Sequence, residues 1–289
     1  MKLSFAIIGC GKVGTALGKH LARSGYPAAG FASRSADSAR RSAMAAGAAE
    51  HFFQYAWEAS LQADVVFITT PDGAIADICR DLADHGGIRE KTVIFHCSGA
   101  LPSTILSTAK ARGAYVGSMH PLQSFALEQA GNPFDHIMMA VEGDPEAVHL
   151  AQQIASDLGA LAFVIKTEGK TVYHAAASVA SNYLVTLMSF AIKLIAASGV
   201  QESEAFQILR PLVNGTLTNI ETAGIPGALT GPIARGDYKT VADHVAGLKN
   251  LGPDLLLLYK TLGRATVQIA RAKGTLSADA ALEILKLLD

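Results

Sequence analysis

The chain has 289 residues, half of them hydrophobic and 17% charged, with a formal net charge of -1. That length and composition provide for one large or two medium domains with a sizeable core and exclude a disordered chain. Charge balance without a long basic run argues against a nucleic-acid partner, and three scattered cysteines, Cys10, Cys79 and Cys97, argue for a reduced, cytoplasmic protein without a disulfide framework or a cysteine-based zinc site.

Residues 3–14 read as a short buried strand running into G-x-G-x-x-G, with glycines at Gly9, Gly11 and Gly14 and a helical pattern from Thr15. Gly9 permits the tight turn, Gly11 lets the backbone approach a pyrophosphate, and Gly14 lets the helix lie close on the strand. Lys12 and Val13 complete the turn, and the helix N-terminus faces the negative charge. Strand, turn and helix in this order predict a dinucleotide site.

The next strand, near 28–32, ends in Phe31-Ala-Ser-Arg-Ser35, where an NAD site would place an acid. Arg34 pairs with a 2′-phosphate in this reading, Ser33 and Ser35 donate hydrogen bonds to it, and Arg40 and Arg41 reinforce the field. The expected cofactor is therefore NADP(H). The alternative is a solvated Arg34 and an enzyme that accepts both nicotinamides.

The strand near 64–69 ends in Thr69-Thr70-Pro71, and that near 92–96 leads into Ser98-Gly99. Ligands of open parallel sheets lie beyond the carboxyl ends of strands, so these residues either border the cofactor or simply end a strand and start a helix. After a strand near 114–118, the loop Ser118-Met-His-Pro-Leu-Gln-Ser-Phe125 offers His120 and Gln123. They either orient a substrate carbonyl or carboxylate, or cap the strand end. Further strands are expected near 136–141 and 161–165, with helices near 12–24, 36–46, 73–84, 102–112 and 145–158 between the strands. This alternation predicts an α/β, doubly wound, mostly parallel Rossmann sheet over residues 1–166.

Beyond Lys166 no strand is expected. Helices near 168–198, 202–223, 238–249, 253–273 and 277–288 predict an all-helical domain over 167–289. Lys170, His174, Ser178 and Ser181 share one face of the first helix. That polar stripe either bonds to neighbouring helices or forms a substrate-facing wall. In the second reading Lys170 or His174 donates a proton as hydride arrives, while Asn182 and Arg235 position the substrate. Arg235 suits a carboxylate clamp, or else an ion pair with Asp237. The stretch Thr171–Ile192 carries no Asp, Glu, Lys or Arg and is long enough to span a bilayer. Its hydroxyls, His174 and Asn182 favour the buried centre of a helical domain or dimer, and no membrane association is expected. The stretch from Gly224 to Asp237, dense in glycine and proline, reads as a loop. No P-loop, H-E-x-x-H or G-x-S-x-G motif occurs, and the nine histidines are scattered, so no metal is expected.

Gly9-Cys-Gly-Lys-Val-Gly14, Ser33-Arg-Ser35 and the helical second half resemble the 6-phosphogluconate dehydrogenase-like superfamily, which includes ketopantoate reductase, pyrroline-5-carboxylate reductase and β-hydroxyacid dehydrogenases. Met119-His-Pro-Leu-Gln-Ser-Phe125, Tyr173-His-Ala-Ala-Ala, Ser181-Asn-Tyr-Leu184 and Leu229-Thr-Gly-Pro-Ile-Ala-Arg-Gly-Asp237 resemble more closely a bacterial family of Rossmann-like oxidoreductases whose helical domain is labelled as of unknown function. The resemblance implies a homodimer built largely by the helical domain and makes ketopantoate a candidate substrate. β-Hydroxyacid dehydrogenases pair a lysine with an asparagine four residues later, whereas here His174 follows Lys170. The combined expectation is an NADP(H)-dependent reductase of a small oxo acid or imine. Its rivals are a non-catalytic nucleotide sensor and a reductase that uses the deazaflavin F420.

Overall fold

The computed structural model describes residues 2–125 and 131–289. The strands are β1 (Phe5–Ile8), β2 (Ala28–Ala32), β3 (Phe52–Phe53), β4 (Val65–Ile68), β5 (Val93–His96), β6 (Tyr115–Pro121), β7 (Met138–Gly143) and β8 (Leu161–Val164). They form one sheet in the order β3-β2-β1-β4-β5-β6-β7-β8, parallel throughout except where β7 runs against β6. Strand order reverses at β1 and β4, which opens a crevice beyond their carboxyl ends.

Helices cover both faces of this sheet. They are α1 (Lys12–Arg23), α2 (Ala36–Ala45), α3 (Ala56–Leu61), α4 (Ile75–Asp84), α5 (Ser107–Lys110) and α6 (Pro145–Asp157). The strands read as unbroken apolar runs because each side of the pleat is buried. Phe5, Ile7, Val65, Phe67, Val93 and Phe95 point into one core with Leu17 and Leu21 of α1 and Ile154 of α6. The intervening Ala6, Ile8, Val66, Ile68 and Ile94 point into the other, with Ile75, Cys79 and Leu82 of α4. Full burial of a side chain such as Phe31 contributes roughly 1.5–3 kcal/mol. After β8 the chain enters α7 (Lys170–Ser178), which closes the first compact unit; the units divide between Ala180 and Ser181.

The second unit holds α8 (Leu184–Ala197), α9 (Glu202–Ala228), α10 (Pro232–Arg235), α11 (Tyr238–Leu248), α12 (Pro253–Lys273) and α13 (Ala278–Leu288). Its core gathers Val241 and Val245 of α11, Val267 and Ala270 of α12, and Ile284 and Leu288 of α13. The faces of α8 and α9 contribute little to that core: Val185, Phe206, Leu212 and Leu217 are exposed.

The α/β architecture with a helical second part agrees with the sequence reading, and local departures have physical causes. The pair Phe52–Phe53 forms an edge strand too short to show any alternation. The expected helix over 102–112 is a 3-10 turn, Ser103–Leu106, followed by the single turn of α5. The expected loop from Gly224 to Asp237 is partly helical. Gly224, at φ 70°, breaks α9 without ending it. Pro232 at the first position and Gly236 in the left-handed region after the last delimit α10.

Candidate active site

The turn from β1 into α1 shows why its glycines are where they are. Gly9 has φ 107°, and a Cβ there would stand 2.7 Å from the Thr70 amide nitrogen. A Cβ on Gly14 would overlap the Gly9 carbonyl oxygen and Thr69 Oγ1. Gly11, which precedes the first residue of α1, has nothing within 4 Å of its Cβ position. The turn is thus tight against protein on one side and open on the other. Lys12 is exposed and Val13 half-buried. Thr69 Oγ1 donates to the Gly9 carbonyl at 2.6 Å and ties the end of β4 to the turn.

These residues edge a cleft of about 830 Å³, shared by Gly9, Gly11, Arg34, Thr70, Tyr55 and Trp57. Ser33, Ser35 and Pro71 line it as well. Ser35 caps α2, accepting from the Ser38 amide at 3.4 Å, so a second helix N-terminus opens here, and Arg34 is exposed beside it. The Thr70 hydroxyl is buried without a hydrogen-bond partner among the described residues. Tyr55 stacks on Trp57 at 4.4 Å, and Trp57 on His85 at 4.0 Å. An open phosphate-sized turn, a guanidinium and an aromatic wall fit an adenine dinucleotide that carries an extra phosphate. The wall of Tyr55 and Trp57 was not foreseen, since it follows a two-residue strand.

At the carboxyl ends of β5 and β6 lies a second group of side chains. Lys170 is 1% exposed, and its Nζ donates to Ser118 Oγ on β6 at 2.5 Å. Burial brings its pKa down to about 8, while Glu142, Cys97 and Asp72 oppose that fall. His120 Nδ1 lies 2.8 Å from the Tyr173 hydroxyl. Burial, reinforced by Lys170 and His174, lowers His120 to about 4, so its ring is neutral at pH 7. His96 accepts from the Ser98 amide at Nδ1, and burial followed by Lys170 lowers it to about 3.

Gly99 is the backbone on which two of these rings converge. A Cβ there would stand 2.6 Å from His174 Nδ1 and 2.8 Å from His120 Nε2. His174 Nδ1 is buried with no partner among the described residues. Ser98 spends its hydroxyl on the amides of Ala100 and Leu101, at 3.1 Å each, and so shapes the loop.

Lys170, His174 and His120 are therefore brought together, with Ser118, Tyr173 and Glu142 as companions that periodicity did not single out. Glu142 lies one residue past the strand expected over 136–141, and β7 runs on through it to Gly143. Gln123 is exposed, and its side-chain oxygen accepts from the Ser124 amide at 2.9 Å. Ser181, Asn182 and Arg235 belong to the second unit. Ser181 and Asn182 are exposed just before α8. Arg235 is exposed at the end of α10, and Asp237 uses its carboxylate on the Thr240 amide and hydroxyl, at 3.1 and 2.7 Å, to start α11. No group of three or more potential metal ligands exists among the described residues.

Comparison with known proteins places this geometry in context. No curated protein matches the chain. Among solved structures, protein TM1727 of Thermotoga maritima is 26% identical, with 93% of this chain and 99% of that one covered and a TM-score of 0.73. BF3122 of Bacteroides fragilis, provisionally described as an NADP oxidoreductase, is 23% identical over 92% of this chain and 98% of its own, with a TM-score of 0.70. A reductive aminase from Aspergillus terreus, in complex with NADPH and ethyl levulinate, shares the fold at 16% identity over 100% and 93% of the two chains, with a TM-score of 0.63. Residues 1–121 match the family model of the Rossmann-like domain, and residues 137–266 match the domain of unknown function DUF2520, a stretch that includes β7 and β8. The chain thus joins a Rossmann-like domain to a DUF2520 domain.

Proposed function

We propose that this chain is an NADP(H)-dependent oxidoreductase that reduces a small oxo acid or imine, with ketopantoate among the candidate substrates. The carrying observation is the buried Lys170 ammonium held on Ser118 Oγ, beside two imidazoles that converge at Gly99. In this reading Gly9, Gly11 and Gly14 with Lys12 and Val13 receive the pyrophosphate, and Ser33, Arg34 and Ser35 take the 2′-phosphate. The Tyr55–Trp57 wall packs against the base. Thr69, Thr70, Pro71, Ser98 and Gly99 border the rest. The names of two similar folds, an NADP oxidoreductase and an NADPH-bound reductive aminase, support the same cofactor.

When bound, NADPH supplies the hydride. The chain supplies the proton. Lys170 Nζ gives it to the carbonyl oxygen, or to an imine nitrogen, as negative charge builds there. A pKa near 8 keeps the ammonium charged at pH 7 while making it a better acid than a surface lysine. Neutral His120, tied to Tyr173, and His174, with an unsatisfied Nδ1, orient the substrate. The ammonium attracts a carboxylate and repels an iminium cation, which favours the oxo acid of the two.

NADPH oxidation with a panel of 2-oxo acids and cyclic imines tests this. Turnover is expected with an oxo acid. Lys170→Met should lower kcat/KM by roughly 10²–10⁴, the usual worth of a general acid, with NADPH affinity unchanged. Binding of NADPH without turnover of any panel member would instead favour a nucleotide sensor.

The second unit carries the reading of a homodimer. Residues Thr167–Ala197 form a helical path with mean hydropathy 1.5 over its most apolar stretch, of which only 6% is buried. Leu212 of α9 is 70% exposed and Val185 of α8 is 69% exposed. Apolar faces of this extent call for a cover, and a second copy of the chain is the one proposed. The three free cysteines accord with a reducing cytoplasm.

A further inference from the structure

Glu142 is a carboxylate with 1% exposure that the reaction just described does not use. Its Oε1 accepts from the Ser103 amide at 2.8 Å, and its Oε2 accepts from the Ser103 hydroxyl at 2.7 Å and the Thr167 hydroxyl at 2.8 Å. Those bonds reach two further parts of the chain, the 3-10 turn after β5 and the residues leading into α7. On the sheet, Glu142 of β7 stands directly opposite Ser118 of β6. Residues so paired project from the same face with Cβ atoms about 5 Å apart. Ser118 is the hydroxyl that receives Lys170 Nζ. One buried carboxylate therefore sits across from the serine that holds the one buried ammonium among the described residues, and it also anchors Thr167, three residues ahead of that lysine.

We propose that Glu142 is the positioning residue of Lys170: it fixes the start of the lysine's helix through Thr167 and sets a counter-charge beside the ammonium. A buried ammonium without an anion would shed its proton. The other groups that bear on Lys170 do not replace Glu142. Asp72 follows β4 and is exposed, Cys97 follows β5 with its thiol pushed up by burial to about 12, and His96, His120, Tyr173 and His174 contribute no negative charge at neutral pH. The role rests on Lys170 as proton donor, but the electrostatic pairing is measurable without catalysis.

The test follows the 13Cε resonance of Lys170 by NMR in the full-length protein labelled with [13C]lysine, assigned by its loss in Lys170→Arg. In Glu142→Gln the titration of Lys170 should fall by about one unit or more. In Thr167→Val, which removes an anchor and keeps the charge, it should stay at the wild-type value. An unchanged Lys170 titration in folded Glu142→Gln overturns the proposal. Should that variant not fold, Glu142→Asp carries the test: its shorter side chain draws the carboxylate back from the ammonium, so the Lys170 titration should fall, and an unchanged value overturns the proposal. With an active substrate in hand, the alkaline limb of the kcat profile should move down with the NMR value in Glu142→Gln, a movement that lost stability alone would not produce. Failure of every substrate removes the donor role of Lys170 and leaves the NMR result standing.

Discussion

Three side chains, His96 at the end of β5, His120 near the end of β6 and Lys170 at the start of α7, have acid–base equilibria displaced by burial, and the displacement has a stability consequence. His96 and His120 titrate in the folded chain at about 3 and about 4, against an ordinary 6.5. Between those values the unfolded chain binds more protons than the folded one, so stability rises with pH there and is lost as pH falls from 6.5. Urea midpoints measured from pH 7 to pH 4 should decline, and in His96→Asn the decline should be shallower. The difference at pH 4 should be on the order of a few kcal/mol. Parallel declines in the two proteins would contradict a buried neutral His96. Lys170 works in the opposite range: its folded value near 8 lies below 10.5, so its desolvation cost is fully present below pH 8 and is relieved as pH rises from there toward 10.5. Lys170, His174 and His120 were legible in the sequence because Lys170 and His174 share one helix face and His120 is a polar residue in an apolar stretch, although the expected loop there is the end of β6, in which His120 pairs with Ala140. Ser118, Tyr173 and Glu142 were not, because their roles depend on which strands pair and on what a helix meets when it packs.

At the scale of elements, the turn between β1 and α1 separates folding from binding. Gly14 faces the Gly9 carbonyl and Thr69, whereas Gly11 faces open space. Gly14→Ala should therefore lower the melting temperature together with NADPH affinity, while Gly11→Ala should leave melting unchanged and weaken NADPH at least about tenfold, or ~1.4 kcal/mol. Calorimetry and thermal melts of both variants check this. Equal loss of stability in the two would contradict the assignment of the open side to a diphosphate. This turn was readable because every residue in it lies within one short segment and obeys a local steric rule. The β6–β7 pairing was not readable, because an antiparallel neighbour breaks the alternating pattern that predicts parallel strands. The helical turn of α10 inside an expected loop shows the same limit: glycine and proline mark the ends of short helices as well as loops.

The whole molecule was legible as a switch of pattern. Strands alternate with helices up to β6, β7 follows with no helix between them among the described residues, and after β8 only helices follow. Exposed apolar residues on α8 were foreseen only as a stretch without charge and those on α9 not at all, because a sequence does not say which side of an apolar helix finds a partner inside the same chain. Light scattering of the wild-type protein should give the mass of a dimer. Leu212→Glu, a charge placed on an exposed leucine of α9, should shift it toward the monomer, and a wild-type monomer would contradict the proposed interface. The proposed reductase requires that the crevice between β1 and β4 hold NADP(H). Isothermal titration of the folded wild-type chain with NADPH and with NADH tests that most directly. Saturable binding of NADPH, tighter than that of NADH by about tenfold or more because Arg34 meets the extra phosphate, is the predicted result. No heat with either coenzyme, or tighter binding of NADH, would contradict it.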